Sequence, residues 1–135
     1  MPQDPPRLKA LDHLVLTVAD IATTVKFYSV ALGMIPSRFV ASTGGDRWAL
    51  HFGSSKINLH QAGSEFEPKA HRATPGSADL CFVTDTGLED WIDHLKGQGI
   101  GIAEGPVRRS GATGALMSIY IRDPDLNLIE ISVPA

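Results

Sequence analysis

The sequence predicts an α+β fold in which two βαβββ modules pair to form a curved, cup-shaped mixed sheet with flanking helices. Three observations carry this prediction. Two β-rich runs, opening at Leu11 and Ala78, are each followed by an amphipathic segment with helical spacing. Short strand-like runs then follow each of those segments. Polar residues that interrupt the outer strands recur at similar offsets, Asp79 standing 66 positions after His13 and Glu130 standing 70 after His60. A long internal period marks a repeated structural unit. Each unit is an open sheet with one apolar face to bury, so two units are expected to share a core.

Met1–Lys9 carries Pro2, Pro5 and Pro6 and reads as a flexible lead-in. Leu11–Val18 is β-rich, and Asp20 is a good N-cap for a helix with Ile21, Val25, Tyr28 and Leu32 on one face. Gly33 stands where a helix-ending glycine belongs. Strands are expected at about Ser37–Ala41, Trp48–Phe52 and Ile57–His60, separated by Thr43-Gly44-Gly45-Asp46 and Gly53-Ser54-Ser55. Ala62–Ser77 is rich in breakers and reads as a linker across the surface. Ala78–Thr84 is the next strand, and Asp85 or Thr86 is expected to cap a helix with Leu88, Trp91, Ile92 and Leu95 inward and Gly97 near its end. Further strands are expected at Gly101–Glu104, Leu116–Ile121 and Leu128–Val133. Residues 1–9 are thus a lead-in and 10–135 one domain, with module 1 over about 10–62, a linker at 63–76 and module 2 over about 77–134.

Composition narrows the class. The chain has 135 residues, 43% hydrophobic and 20% charged, with a net charge of −3. That length suits a single domain with a core that needs no disulfide or metal staple. Cys81 is the only cysteine, which excludes an intrachain disulfide and a cysteine-cluster metal site, and it reads as a small buried hydrophobe. No basic run points to nucleic acid or to an anionic membrane. No apolar run approaches the ~18 residues of a membrane span, and no signal-peptide core opens the chain, so a cytoplasmic protein is expected. No GxSxG, P-loop or GxGxxG motif is present.

His13, His60, Asp79 and Glu130 lie inside the first and last strands of the two modules. Strand alternation puts His13 on a face with Leu11 and Val15, and Glu130 on a face with Leu128 and Ser132. Two histidines and a carboxylate with vacant positions suit a divalent metal that accepts two adjacent substrate oxygens. The residues alone leave a second reading open, in which each is a hydrogen-bonded strand residue or an edge charge. His51 lies on the alternate strand face from Phe52, His71 lies in the long loop where it could cover a site, and His94 falls on the polar side of its helix.

Leu11–Met34 (LDHLVLTVADIATTVKFYSVALGM) resembles the opening module of the glyoxalase/bleomycin-resistance/extradiol-dioxygenase superfamily, the vicinal oxygen chelate fold. Met117–Ser132 (MSIYIRDPDLNLIEIS) resembles its closing hairpin. Ile57–Gly63 (INLHQAG), Glu65–Lys69 (EFEPK) and Gly76–Leu80 (GSADL) are similar to the glyoxalase domain-containing protein 5 group. The resemblance implies paired βαβββ modules, a homodimer, and one divalent ion of Ni, Zn, Fe, Mn or Mg in the cup. By position it assigns His13, His60 and Glu130 as metal ligands. The ligand position opening the second module is His in many relatives and Asp79 here, leaving Asp79 as a ligand, a water holder or a base. The usual Asp-Pro-Asp-Gly-Asn turn reads Asp123-Pro124-Asp125-Leu126-Asn127, with Asn127 expected to take up the left-handed conformation.

The fold hosts several chemistries. The favoured expectation is a metal-dependent enzyme of glyoxalase or lyase type that chelates vicinal oxygens of a small metabolite and stabilises an enediolate, with Glu130 or Asp79 as base. Candidate substrate-binding residues are Arg47, Trp48, Phe52, Met117 and Tyr120. The alternatives are an iron(II) ring-cleaving dioxygenase and a metal-free protein that sequesters a drug or metabolite in an apolar cleft.

Overall fold

The computed structural model describes residues 4–42 and 44–135. Met1–Gln3 of the expected lead-in, and Thr43 of the expected turn, lie outside the described residues. Module 1 contains β1 (His13–Val18), α1 (Ile21–Val30), β2 (Ile35–Val40), β3 (Asp46–Phe52) and β4 (Ser55–Gln61). Module 2 contains β5 (Asp79–Val83), α2 (Leu88–Gly97), β6 (Glu104–Gly111), β7 (Gly114–Arg122) and β8 (Leu128–Pro134). Each module forms its own four-stranded mixed sheet, in the orders β1-β4-β3-β2 and β5-β8-β7-β6. In both, the first strand runs parallel to the last and the remaining pairs are antiparallel.

Packing joins the two modules. Alternation sends Leu16, Val18, Leu50, Ile57 and Leu59 of the first sheet, and Ile119, Ile121, Ile129 and Ile131 of the second, into one cluster with Tyr28 and Leu95 of the helices. Burying each such side chain contributes about 1.5–3 kcal/mol, so the shared cluster dominates the energetics. Polar ties reinforce it. Tyr28 Oη donates to Asp123 Oδ2 at 2.6 Å, the Ala19 N–H lies 3.2 Å from Asp125 Oδ2, and His94 Nε2 lies 3.0 Å from the Ala31 carbonyl. His94 is therefore a link between the helices rather than a free solvated residue.

Asp20 caps α1 as expected, accepting from the Thr23 N–H at 3.0 Å, and Gly33 turns the chain out at φ +70°. Four expectations need correction. The second helix is capped by Gly87 without a side-chain bond, and Glu89 and Asp90 supply negative charge to its first turn instead of Asp85 or Thr86. Strand β6 runs over Glu104–Gly111, sharing only Glu104 with the expected Gly101–Glu104, because an edge strand with a register shift between Glu104 and Val107 tolerates Pro106. Cys81 is exposed on the open side of β5 rather than buried. The left-handed residue of the last turn is Leu126, at φ +68°, and not Asn127.

Candidate functional site

Because each sheet buries one face in the common core, the opposite faces carry the polar strand residues. On the first sheet the pairing sets His13 beside Lys56, Val15 beside Asn58 and Thr17 beside His60. Antiparallel pairing of Ala49 with Asn58 places Arg47 on that same face, one step beyond the Trp48–Leu59 pair. His13 Nδ1 meets Asp12 Oδ2 at 2.8 Å, which leaves Nε2 as the available ring nitrogen. His60 is only 9% exposed and packs its ring edge-to-face with Phe66 at 5.4 Å. Burial, then the Arg47 charge, hold its pKa below the usual histidine value, so the imidazole is neutral at pH 7. The guanidinium of Arg47 lies over the Phe66 ring, 3.0 Å from its centroid.

Three buried polar atoms on this face have no hydrogen-bond partner: Arg47 Nη1, Asn58 Oδ1 and His60 Nδ1. A buried unpaired group costs about 1–3 kcal/mol, so three together are a strong departure from ordinary packing. Of the three residues, His60 alone borders a cavity of about 450 Å³, whose lining also includes Val15, Thr17, Lys69 and Arg72, with no carboxylate among its lining residues. The 62–77 linker forms its outer wall from Pro68 to Thr74, while His71 is exposed and does not line it.

The open face of the second sheet carries Asp79, Cys81, Glu130, Ser132, Ser118 and Tyr120. Ser118 Oγ donates to Glu130 Oε2 at 2.6 Å and Ser132 Oγ to the same oxygen at 3.3 Å, which fixes the carboxylate. Arg109 Nε donates to Tyr120 Oη at 3.0 Å. Partial desolvation raises the Cys81 thiol pKa, and the Glu130 and Asp79 carboxylates add to the effect, so it is not an activated nucleophile. A cavity of about 340 Å³ is bordered by Asp79, Glu104, Arg109, Tyr120 and Glu130.

The expected site residues therefore divide. Arg47 and His60 lie together, and Asp79, Glu130 and Tyr120 lie together on the other sheet. Trp48, Phe52 and Met117 point to the opposite, core-side faces, where Trp48 and Phe52 pack against the common cluster and Phe52 meets Phe82 at 5.1 Å. Among the described residues no three His, Cys, Asp or Glu side chains converge to hold a metal. His13 and His60 stand four register steps apart, on the order of 13 Å at ~3.3 Å per residue. Side chains roughly perpendicular to a sheet do not close that distance onto one ion. The expected His13/His60 pair is thus not a ligand pair within this sheet. Asn58, Ser118 and Ser132 escaped the sequence reading, although each interrupts an apolar strand two residues from another polar site residue or from its cross-strand partner. Phe66 lies in a linker without periodicity and gave no signal.

Comparison with known proteins agrees with this architecture. The profile of the Glyoxalase/Bleomycin resistance protein/Dioxygenase superfamily matches residues 10–131. The virulence protein STM3117 of Salmonella typhimurium is 60% identical over 122 residues, covering 90% of this chain and 82% of that protein. The glyoxalase domain-containing protein RDO1 of Mycosarcoma maydis is 54% identical over 125 residues, covering 93% and 68%. The solved structure VPC_CASS1 from the mobile metagenome of V. Pseudocholerae superposes with a TM-score of 0.92 at 55% identity, covering 98% of this chain and 99% of that one.

Proposed function

Since the chain belongs to the glyoxalase/bleomycin resistance/dioxygenase superfamily, we propose that it is a metal-dependent enzyme of glyoxalase or lyase type acting on a small oxygenated metabolite as a homodimer. The observation that carries this reading is the division of the polar residues into two half-sites on separate sheets, each facing away from the core. Juxtaposing the first face of one copy with the second face of another joins His13 to Asp79 and Glu130. One imidazole and two carboxylates are a donor set that suits a divalent ion, with His13 and Asp79 exposed and Glu130 half-buried. Once bound, such an ion polarises two vicinal substrate oxygens.

The rest of the chemistry falls to the chain itself. Glu130, oriented by Ser118 and Ser132, is the base that takes a proton from the carbon beside the substrate carbonyl. Arg109 holds the Tyr120 hydroxyl in place beside that carboxylate. The cavity next to His60 takes the remainder of the substrate and excludes water from it.

Elemental analysis of protein purified without chelator tests the reading. Near-stoichiometric metal that is lost in His13→Ala and Glu130→Ala and kept in His60→Ala supports it. A protein that stays metal-free under supplementation sinks it and favours a binding protein. The observation on that side is a cavity of about 450 Å³ with no carboxylate among its lining residues.

A further inference from the structure

The cavity beside His60 is enclosed by parts of both modules and the linker between them. Thr17 of β1 and His60 of β4 line it from the first sheet, residues 68–74 line it from the linker, and Ala78 and Asn127 line it from module 2. Its lining holds two full positive charges, Lys69 and Arg72, and no carboxylate. The cavity on the second sheet is the reverse, with Asp79, Glu104 and Glu130 set against Arg109 and Arg122. Much of the other polar lining of the first cavity is already committed. Thr74 Oγ1 donates to the Arg72 carbonyl at 3.1 Å and Ser77 Oγ to the Thr74 carbonyl at 2.8 Å. Asn127 accepts from the Ala78 N–H and donates to Asp123, both at 2.8 Å. The two cations are not equivalent. Lys69 Nζ lies 3.2 Å from Glu65 and 3.9 Å from Glu67, so its charge is balanced nearby. Among the described residues Arg72 has no carboxylate within ion-pair distance.

We infer that this cavity takes the carboxylate end of a small aliphatic acid, with Arg72 as the residue that selects it and Lys69 in support. One uncompensated guanidinium beside one balanced ammonium suits a single negative charge, and the planar guanidinium fork matches a carboxylate. Val15, Pro68, Ala70 and Ala73 supply the apolar lining that an aliphatic chain needs. The inference gives the ligand a direction. Its acid end lies under the linker, away from the three carboxylates that border the second cavity and would repel it. It rests on reading the first open face as a small-molecule site; it does not need a metal.

The test is titration of the intact protein with hexanoate, hexanamide and hexylamine, followed through the backbone amide resonances so that affinity and location are read together. Hexanoate is expected to shift the Ala70, Arg72 and Ala73 amides. It should bind at least about fivefold more tightly than hexanamide, which has the same shape without the charge, and hexylamine should bind more weakly still. Arg72→Gln is expected to bring hexanoate down to the level of hexanamide, and Arg72→Lys to recover part of the loss. Arg38→Gln, which removes a guanidinium paired with Asp46 on the β2–β3 hairpin, should change nothing. Thermal unfolding and metal content of the Arg72 variants should match the wild type, which separates loss of the contact from loss of the fold. Equal affinity for hexanoate and hexanamide, no detectable binding of hexanoate, or binding untouched by Arg72→Gln overturns the inference. So do shifts centred on Arg109 of the second sheet. If metal is present but the acid is not preferred, only this inference falls. If a metal-free protein prefers the acid through Arg72, only the metal-dependent reading falls.

Discussion

Tyr28 shows how much one atom can add to a helical pattern. Its spacing marks it as a core residue, and it is fully buried, but its hydroxyl also reaches across the module boundary to Asp123. That carboxylate simultaneously accepts from the Asp125 and Asn127 N–H groups, both at 2.9 Å, and from Asn127 Nδ2 at 2.8 Å. Tyr28→Phe keeps the ring and removes one donor from a buried carboxylate, so urea unfolding should report a loss of about 1.5–3 kcal/mol. Burial, reinforced by Asp123, raises the Tyr28 pKa well above the ordinary tyrosine value. The unfolded chain releases this proton near pH ~10 while the native state retains it. The contribution is therefore whole below about pH 10 and falls above it by about 1.4 kcal/mol per pH unit. Stability curves of wild type and Tyr28→Phe should converge as pH rises above 10, and parallel curves would contradict this account. Nothing in the sequence pairs positions 95 residues apart, so the ring was legible and its partner was not.

Leu126 is a second case at the same scale. The loss of a glycine from the turn is visible in the sequence, but which residue absorbs the left-handed backbone depends on the surrounding bonds. Asp123 Oδ1 holds the Asp125 and Asn127 amides, and Asn127 accepts the Ala78 N–H at 2.8 Å from within the core. Asn127 is thereby fixed as a buried strut, and the strain falls on Leu126, whose side chain is 67% exposed and packs little. Leu126→Gly should then stabilise the protein by about 0.5–1 kcal/mol, measured as an increase in the urea midpoint without change in slope.

At the scale of elements, periodicity worked where one face is buried. Strands β1, β4, β7 and β8 contribute alternate residues to the core, and all were anticipated within a few residues. Strand β6 was misplaced because its sequence, EGPVRRSG, has no alternation of apolar and polar residues. It is held instead by β7 and by a bulge whose geometry needs Gly105, at φ +105°. A Cβ at that position would run into the Ser118 carbonyl oxygen and press on Ile119 Cα at 3.1 Å. Gly105→Ala should cost about 2–3 kcal/mol from backbone strain and overpacking, seen in denaturant unfolding. Because Ser118 orients Glu130, the same change should also disturb the second open face. A fully stable Gly105→Ala protein would mean that the β6–β7 pairing relaxes at little cost.

On the scale of the whole molecule, the repeat told which strands carry the four polar residues but not how the two copies face. Pattern alone places four polar residues at equivalent positions and suggests one concavity. The shared core turns the two polar faces away from it, and the outer strands β1 and β5 are left as sheet edges. Val15 and Val83 are 46% and 72% exposed on these strands, apolar surface of the kind a partner covers. Subunit mixing decides whether one chain or two builds each site. In a dimer whose sites each combine His13 of one copy with Glu130 of the other, His13→Ala and Glu130→Ala proteins are both defective alone. Refolding them together in equal amounts makes half of the dimers mixed, and in each mixed dimer one site receives both substitutions while the other receives neither. Metal content should therefore return to about one quarter of the wild-type value, and to about half in purified mixed dimers. If each chain built its own site, every site would still carry a defect and mixing would restore nothing.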